Sequence, residues 1–177
     1  MALVTLITGG ARSGKSRFAL ELARTGYQKR VFIATAVACD EEMRQRIDTH
    51  RRERGDDFET IEQPYLLAEA IGTVPPYAQV AIIDCLTVWL GNVYHRESGS
   101  RDAVKAHIER LAAAVERAPC DLILVTNEVG WGIVPENAMA RDFRDDAGYL
   151  NGRIAARADT VYCCVCGIAQ VIKRKSL

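Results

Sequence analysis

Apolar positions in this chain gather into short, nearly unbroken runs, at residues 3–8, 31–35, 80–84, 122–126 and 160–165, with a weaker one near 59–61. Strands with one wet face alternate apolar and polar side chains. Runs without that alternation predict strands covered on both faces. Between them, spacings of three and four predict helices at 15–24, 40–54, 65–71, 102–117 and about 138–156. Strand and helix alternate, so the expected fold is α/β, a mainly parallel sheet with helices on both faces. Pro75-Pro76 and the polar stretch 96–102 read as turns or loops, 85–101 as a loop, and Lys173-Arg174-Lys175 as a solvated tail. No repeat or low-complexity segment interrupts the pattern.

Length and charge narrow the picture. The 177 residues suit a single domain over 1–177 and leave no room for two independent enzymes, so two chemistries would share one site. The 23 basic and 23 acidic residues balance, so no nucleic-acid partner is expected. No apolar run approaches the roughly 20 residues of a membrane span, and the first residues enter a strand pattern with no basic leader. Six cysteines in a chain of this size do not suggest a disulfide scaffold, and a cytoplasmic location is expected. Cys163, Cys164 and Cys166 invite a metal reading, but neighbours on a strand point to opposite faces; small buried strand residues are expected instead.

The first chemistry lies between the first strand and the first helix. Gly9-Gly10-Ala11-Arg12-Ser13-Gly14-Lys15-Ser16 satisfies G-x-x-x-x-G-K-[ST] in the context the P-loop requires. Glycine lets backbone N–H groups close around phosphate oxygens, and the helix N-terminus adds partial positive charge. Lys15 is expected to reach the β/γ-phosphates and Ser16 to ligate Mg²⁺. A second acid suits the same metal: Asp84 ends the apolar run that begins at Val80.

A second chemistry is possible at residue 50. Met43, Ile47 and His50 share one helical face, after the acids Asp40, Glu41 and Glu42 that suit a helix start. Arg51, Arg52 and Arg54 follow and can hold phosphate oxygens. A neutral imidazole beside a triphosphate is a competent nucleophile. A partly buried histidine satisfied by a neighbour gives the same pattern, and spacing does not separate the two. Thr126-Asn127-Glu128 lies at a strand's C-terminal end, as a ligand contact or as ordinary structure. Trp131 and Phe143 fit an apolar wall or core, with core favoured; His95 reads as a loop residue and His107 as a helix-surface residue.

Several segments together resemble one family, the bifunctional adenosylcobinamide kinase/adenosylcobinamide-phosphate guanylyltransferases of cobalamin synthesis. They are Thr8 with the P-loop, Ile33-Ala34-Thr35, residues 40–43 and on to His50, residues 125–137, residues 140–145, and Gly148. The resemblance implies a RecA-like P-loop fold, a homotrimer, and Mg²⁺ with ATP or GTP. It also implies phosphorylation of adenosylcobinamide, then transfer of GMP from GTP through a guanylylated histidine. His50 falls at that histidine, and with Lys15 forms the expected catalytic pair. Arg51, Arg52, Glu53 and Arg54 fall on a GTP-contacting stretch; Ala34, Thr35, Ala36, Glu62 and Asp84 fall at further nucleotide contacts. Two departures stand out: Thr49-His50 where some members carry two histidines, and Asp84 where some carry Glu. The rival expectations are a P-loop kinase for another metabolite with His50 structural, and a non-enzymatic nucleotide-gated or nucleic-acid module.

Overall fold

A computed structural model describes residues 2–175. In chain order its elements are β1 (Val4–Gly9), α1 (Lys15–Gly26), β2 (Arg30–Ala34), α2 (Glu41–Arg54), β3 (Glu59–Glu62), α3 (Leu67–Gly72) and β4 (Val80–Asp84). There follow α4 (Leu86–Arg96), α5 (Arg101–Glu116), β5 (Asp121–Val125), α6 (Ala138–Arg157), β6 (Thr160–Val165) and β7 (Ile168–Arg174). The strands form one sheet in the order β3-β2-β4-β5-β1-β6-β7, parallel except for β7.

The unbroken apolar runs follow from this layering. Register aligns Ile33, Ile83, Leu124 and Leu6 across four neighbouring strands, and these pack under α3, α4, α5 and α6 with Leu67, Leu90, Ile108 and Leu150. The alternate residues Phe32, Ile82, Ile123 and Ile7 pack with Ala19, Leu20 and Ala23 of α1. Both faces are covered, so both sets of strand side chains are apolar. The parallel order also places the C-terminal ends of β1, β4 and β5 side by side, where ligand sites form in α/β sheets.

Two segments differ from the sequence expectation. Residues 86–96 form helix α4 rather than a loop, burying Leu86, Trp89, Leu90, Val93 and Tyr94. Their spacing is helical; Gly91 and Asn92 within it are weak helix formers whose cost tertiary packing overrides. His95 accordingly sits in a helix's last turn. The C-terminal stretch is strand β7 rather than a solvated tail. Cys166 and Gly167 turn the chain with φ of 52° and 82°, the positive pair that two-residue hairpins use. Lys173 then donates from Nζ to the carbonyls of Ala155 and Ala156, at 2.7 and 3.1 Å, near the end of α6.

All six cysteines are free thiols; Cys163 and Cys164 are buried in β6, whereas Cys166 is exposed at the hairpin turn, not buried in a strand. His107 is also corrected: its side chain is only 12% exposed and its Nε2 lies 3.2 Å from Glu97 Oε1. No helix among the described residues is long and apolar enough to cross a membrane.

Candidate nucleotide site

The loop after β1 is shaped by neighbours that tolerate no side chain. Gly9 has φ 144°, and a Cβ there would sit 2.3 Å from the Cys164 carbonyl oxygen. Gly14 caps α1 in a left-handed conformation, φ 93°, where a Cβ would lie 3.2 Å from Gly167 Cα. The β6–β7 turn thus backs the loop, and Gly167 N–H donates to the Ser13 carbonyl at 3.1 Å. Arg12, exposed on the loop, takes a positive φ of 54° without being glycine. Lys15 is buried; its ammonium donates to the Gly10 carbonyl and lies 3.3 Å from Ser13 Oγ.

Asp84 reaches this loop from the end of β4. It accepts a hydrogen bond from the Ser16 hydroxyl. Burial pushes its carboxyl above the ordinary range, opposed by the Ser16 bond and by the charges of His50, Lys15 and Arg54. Thr35 fixes the strand end: its fully buried hydroxyl accepts from Cys85 N–H at 2.8 Å and donates to the Cys85 carbonyl at 2.9 Å. The Ala34 and Thr35 carbonyls accept from Gln63 N–H and the Asn92 amide. Ala36 follows in the irregular segment before α2, half-buried.

The donor set suits Mg²⁺. Ser16 and Asp84 bring together a hydroxyl and a carboxylate, both hard oxygen ligands, and no cluster of three or more His, Cys, Asp or Glu able to hold a metal occurs among the described residues. Magnesium beside a nucleotide takes one or two protein ligands and completes its shell with phosphate and water.

Helix α2 brings the histidine. Asp40 caps it by accepting from Met43 N–H at 2.7 Å, with Glu41 and Glu42 in the first turn. Met43, Ile47 and His50 are half-buried on a helix otherwise mostly exposed. His50 Nδ1 lies 3.1 Å from Glu53 Oε2, and Nε2 has no partner among the described residues. Arg51 pairs with Glu62. Arg52 contacts the Asp48 carbonyl and the Thr49 hydroxyl, both at 3.3 Å. Arg54 is 6% exposed with its guanidinium 4.1 Å over the Phe32 ring. Burial and neighbouring Arg51 pull its pKa down, while Asp84 and Glu62 act the other way. Arg51, Arg54, Gly55, Asp56, Thr60 and Glu62 line an open pocket of about 430 Å³.

The structure therefore brings residues 9–16, Asp84, His50 and Arg54 into one electrostatic neighbourhood, with Arg51 and Glu62 at its rim. It also reveals a network that the sequence left half-read. Glu128 Oε1 accepts from the Thr8 hydroxyl at 2.7 Å and from the Asn151 amide at 3.2 Å, and Glu128 N–H donates to the Gly9 carbonyl at 3.1 Å. Asn151 Oδ1 in turn accepts from Thr126 at 2.7 Å. The signal for Asn151 was a polar residue within the buried stripe of α6, between Leu150 and Ile154. Trp131 is 72% exposed, against the expectation of core, whereas Phe143 packs edge-on against Tyr94 with ring centroids 5.5 Å apart.

This geometry can be set beside known proteins. Residues 5–172 match the family described as cobinamide kinase/cobinamide phosphate guanyltransferase. The chain belongs to that family. The bifunctional adenosylcobalamin biosynthesis protein CobU of Escherichia coli (strain K12) is 40% identical over 182 aligned residues, covering 97% of this chain and 100% of that protein. CobP of Pseudomonas aeruginosa, of the same description, is 38% identical over 172, covering 97% and 98%. Among solved structures, the RadB recombinase superposes with a TM-score of 0.53 at 16% identity, over 91% of this chain and 73% of that one. A second solved structure, of an ATPase domain, gives 0.51 at 12%, over 91% and 68%. The family member thus has a RecA-like P-loop fold, as the resemblance implied.

Proposed function

We infer that this chain phosphorylates adenosylcobinamide with ATP or GTP and then transfers GMP from GTP to the product through His50, giving adenosylcobinamide-GDP. The family membership supports the pair of reactions. One observation supports the assignment of His50: the imidazole lies near enough to Asp84 to influence its ionisation, and Asp84 stands beside Ser16 of the cradle.

In the kinase step, backbone N–H groups of Gly10 to Lys15 hold the nucleotide's phosphates, and Lys15 exchanges its contact with the Gly10 carbonyl for the β/γ oxygens. Ser16 and Asp84 would hold Mg²⁺, which supplies charge neutralisation at the transferring phosphoryl group. In the guanylyl step the same donors hold the departing pyrophosphate. His50 Nε2 attacks the α-phosphorus; the N–P bond forms as the bond from that phosphorus to the α,β-bridging oxygen breaks. With Nδ1–H donating to Glu53, the lone pair sits on Nε2 and the carboxylate offsets the positive charge that grows on the ring. The phosphate of cobinamide phosphate then displaces the histidine. Arg51, Arg52, Glu62 and the backbone near Ala34 to Ala36 complete the nucleotide's surroundings in this reading. A homotrimer in the cytoplasm belongs to the same proposal.

Incubation with GTP and Mg²⁺, followed by mass spectrometry, should show one added GMP that acid removes. His50→Ala should abolish the adduct and retain phosphorylation of cobinamide. An adduct that persists in the variant ends the assignment of His50. A chain that phosphorylates but never acquires GMP leaves a kinase alone.

A further inference from the structure

We propose that Glu128 is the base of the kinase step, accepting the proton of the cobinamide hydroxyl as that oxygen takes the γ-phosphoryl group. This rests on the function proposed above and deepens it. The two transfers differ in what their acceptor needs. A phosphate monoester is already anionic and attacks without losing a proton, whereas an alcohol must give one up. A base is therefore demanded by one step only. The acids and bases around the cradle divide accordingly: Asp84 is engaged with Ser16 and faces the charges of Lys15 and Arg54, and His50 is, in the proposed function, the nucleophile of the other step.

Glu128 stands where the remaining role falls. It lies three residues past the end of β5, the strand that runs between β4, which ends in Asp84, and β1, which ends at the cradle. Its backbone N–H is tied to the Gly9 carbonyl, so the residue is indexed to the phosphate loop itself. Thr8 and Asn151 both donate to Oε1, and that fixes the carboxylate's direction. Oε2 has no protein partner among the described residues, so one oxygen is held and the other is left to serve. Such a division suits a base, which must be positioned yet unspent. Beyond it the chain leaves Trp131, Ile133 and Val134 exposed, apolar side chains that a bulky acceptor bearing a hydroxyl arm would cover. In the step, the hydroxyl oxygen bonds to the γ-phosphorus and the bond to the β,γ-bridging oxygen breaks. The electron pair leaves with the nucleoside diphosphate, and the proton passes to Oε2.

Glu128→Gln keeps an acceptor for Thr8 and Asn151 and removes only the basic oxygen. Phosphorylation of cobinamide by γ-labelled ATP should lose about a hundredfold or more in kcat, and the acid-side fall of its kcat/KM should disappear. GMP loading of His50, and GMP passage to cobinamide phosphate supplied ready-made, should stay within a few-fold. A kinase rate close to the starting protein's overturns the proposal, as does a parallel loss of all three activities, which would make Glu128 a strut of the cradle. If the variant does not fold, Glu128→Asp replaces it: a kinase-selective loss that keeps the acid-side fall supports the base, and equal losses overturn it. Cobinamide phosphorylation by the unaltered chain is measured first; its absence would sink the proposed function and not the choice of base.

Discussion

Around the phosphate cradle, polar groups are held by partners far away in sequence, whereas along α2 they are held mostly by neighbours three or four residues off. Gly167 supports Ser13, Cys164 closes on Gly9, Asn151 and Thr8 hold Glu128, and Thr35 pins Cys85. On α2 the bonds run from Thr49 to Gln45, Arg44 to Glu41, Arg52 to Asp48 and His50 to Glu53. Its ties to the body gather near its last turn, where Arg24 donates to the Glu53 and Arg54 carbonyls at 3.0 and 2.9 Å and Arg51 meets Glu62. The difference matches the two demands. Phosphate stabilisation needs donors fixed before the reaction starts. On the function proposed above, a nucleophile needed in only one of the two reactions would be served by a helix whose ties to the body gather at one end.

The largest test of that contrast is Lys15→Ala. If both transfers use one cradle, kinase turnover and GMP loading should each fall by roughly a hundredfold or more, read as label transfer from γ- and α-labelled GTP. Loss of one alone would break the comparison, because the arm would then carry its own phosphate site.

Arg54→Met separates anchoring from chemistry. Burial and Arg51 depress the guanidinium, so its charge costs the fold something, returned in part by Phe32 and Asp84. Methionine keeps the apolar stem's volume. Thermal unfolding should hold within about 2 °C or move upward, while GMP loading falls by about tenfold relative to the kinase rate. A sharp loss of stability with both activities falling together would make Arg54 an anchor only.

How much of this was legible in the chain follows the same divide. The cradle was readable because its chemistry is local: Gly9, Gly14, Lys15 and Ser16 must lie together in sequence for the loop to close. The strand order was not, because register between β4 and β5 or β1 and β6 depends on packing across the whole sheet. Helix α4 was present in the spacing of Leu86, Trp89, Leu90, Val93 and Tyr94 but masked by Gly91 and Asn92. The hairpin strand β7 was obscured by Lys173-Arg174-Lys175, whose charges read as solvated until Lys173 is seen on the carbonyls of α6. For His50 the sequence left two meanings open, and what the fold adds is its electrostatic influence on Asp84, 34 positions along the chain.

The smallest expected effect lies behind the cradle, on the helix that carries Asn151. Asp146 of α6 is buried and accepts from Tyr94 and from Arg101, the latter at 2.8 Å. Burial pushes its carboxyl up, but those two hydrogen bonds and the charges of Arg101 and Lys105 outweigh it and hold the carboxyl below the ordinary aspartate range. A depressed folded pKa means that the ionised group stabilises the fold above the unfolded value, and that this stability is lost as pH falls through the folded one. Asp146→Asn should therefore cost about 2 kcal/mol near neutral pH, roughly 4–8 °C in a chain of this length. The gap to the starting protein should narrow steadily on acidification, as the parent loses its own charge. Both transfer rates should stay within a few-fold, since α4, α5 and β1 also hold α6 in place. A variant that kept its stability but lost the kinase step would instead place Asp146 in line with Asn151 and Glu128, and the division between a distributed scaffold and a concentrated site would have to be redrawn through α6.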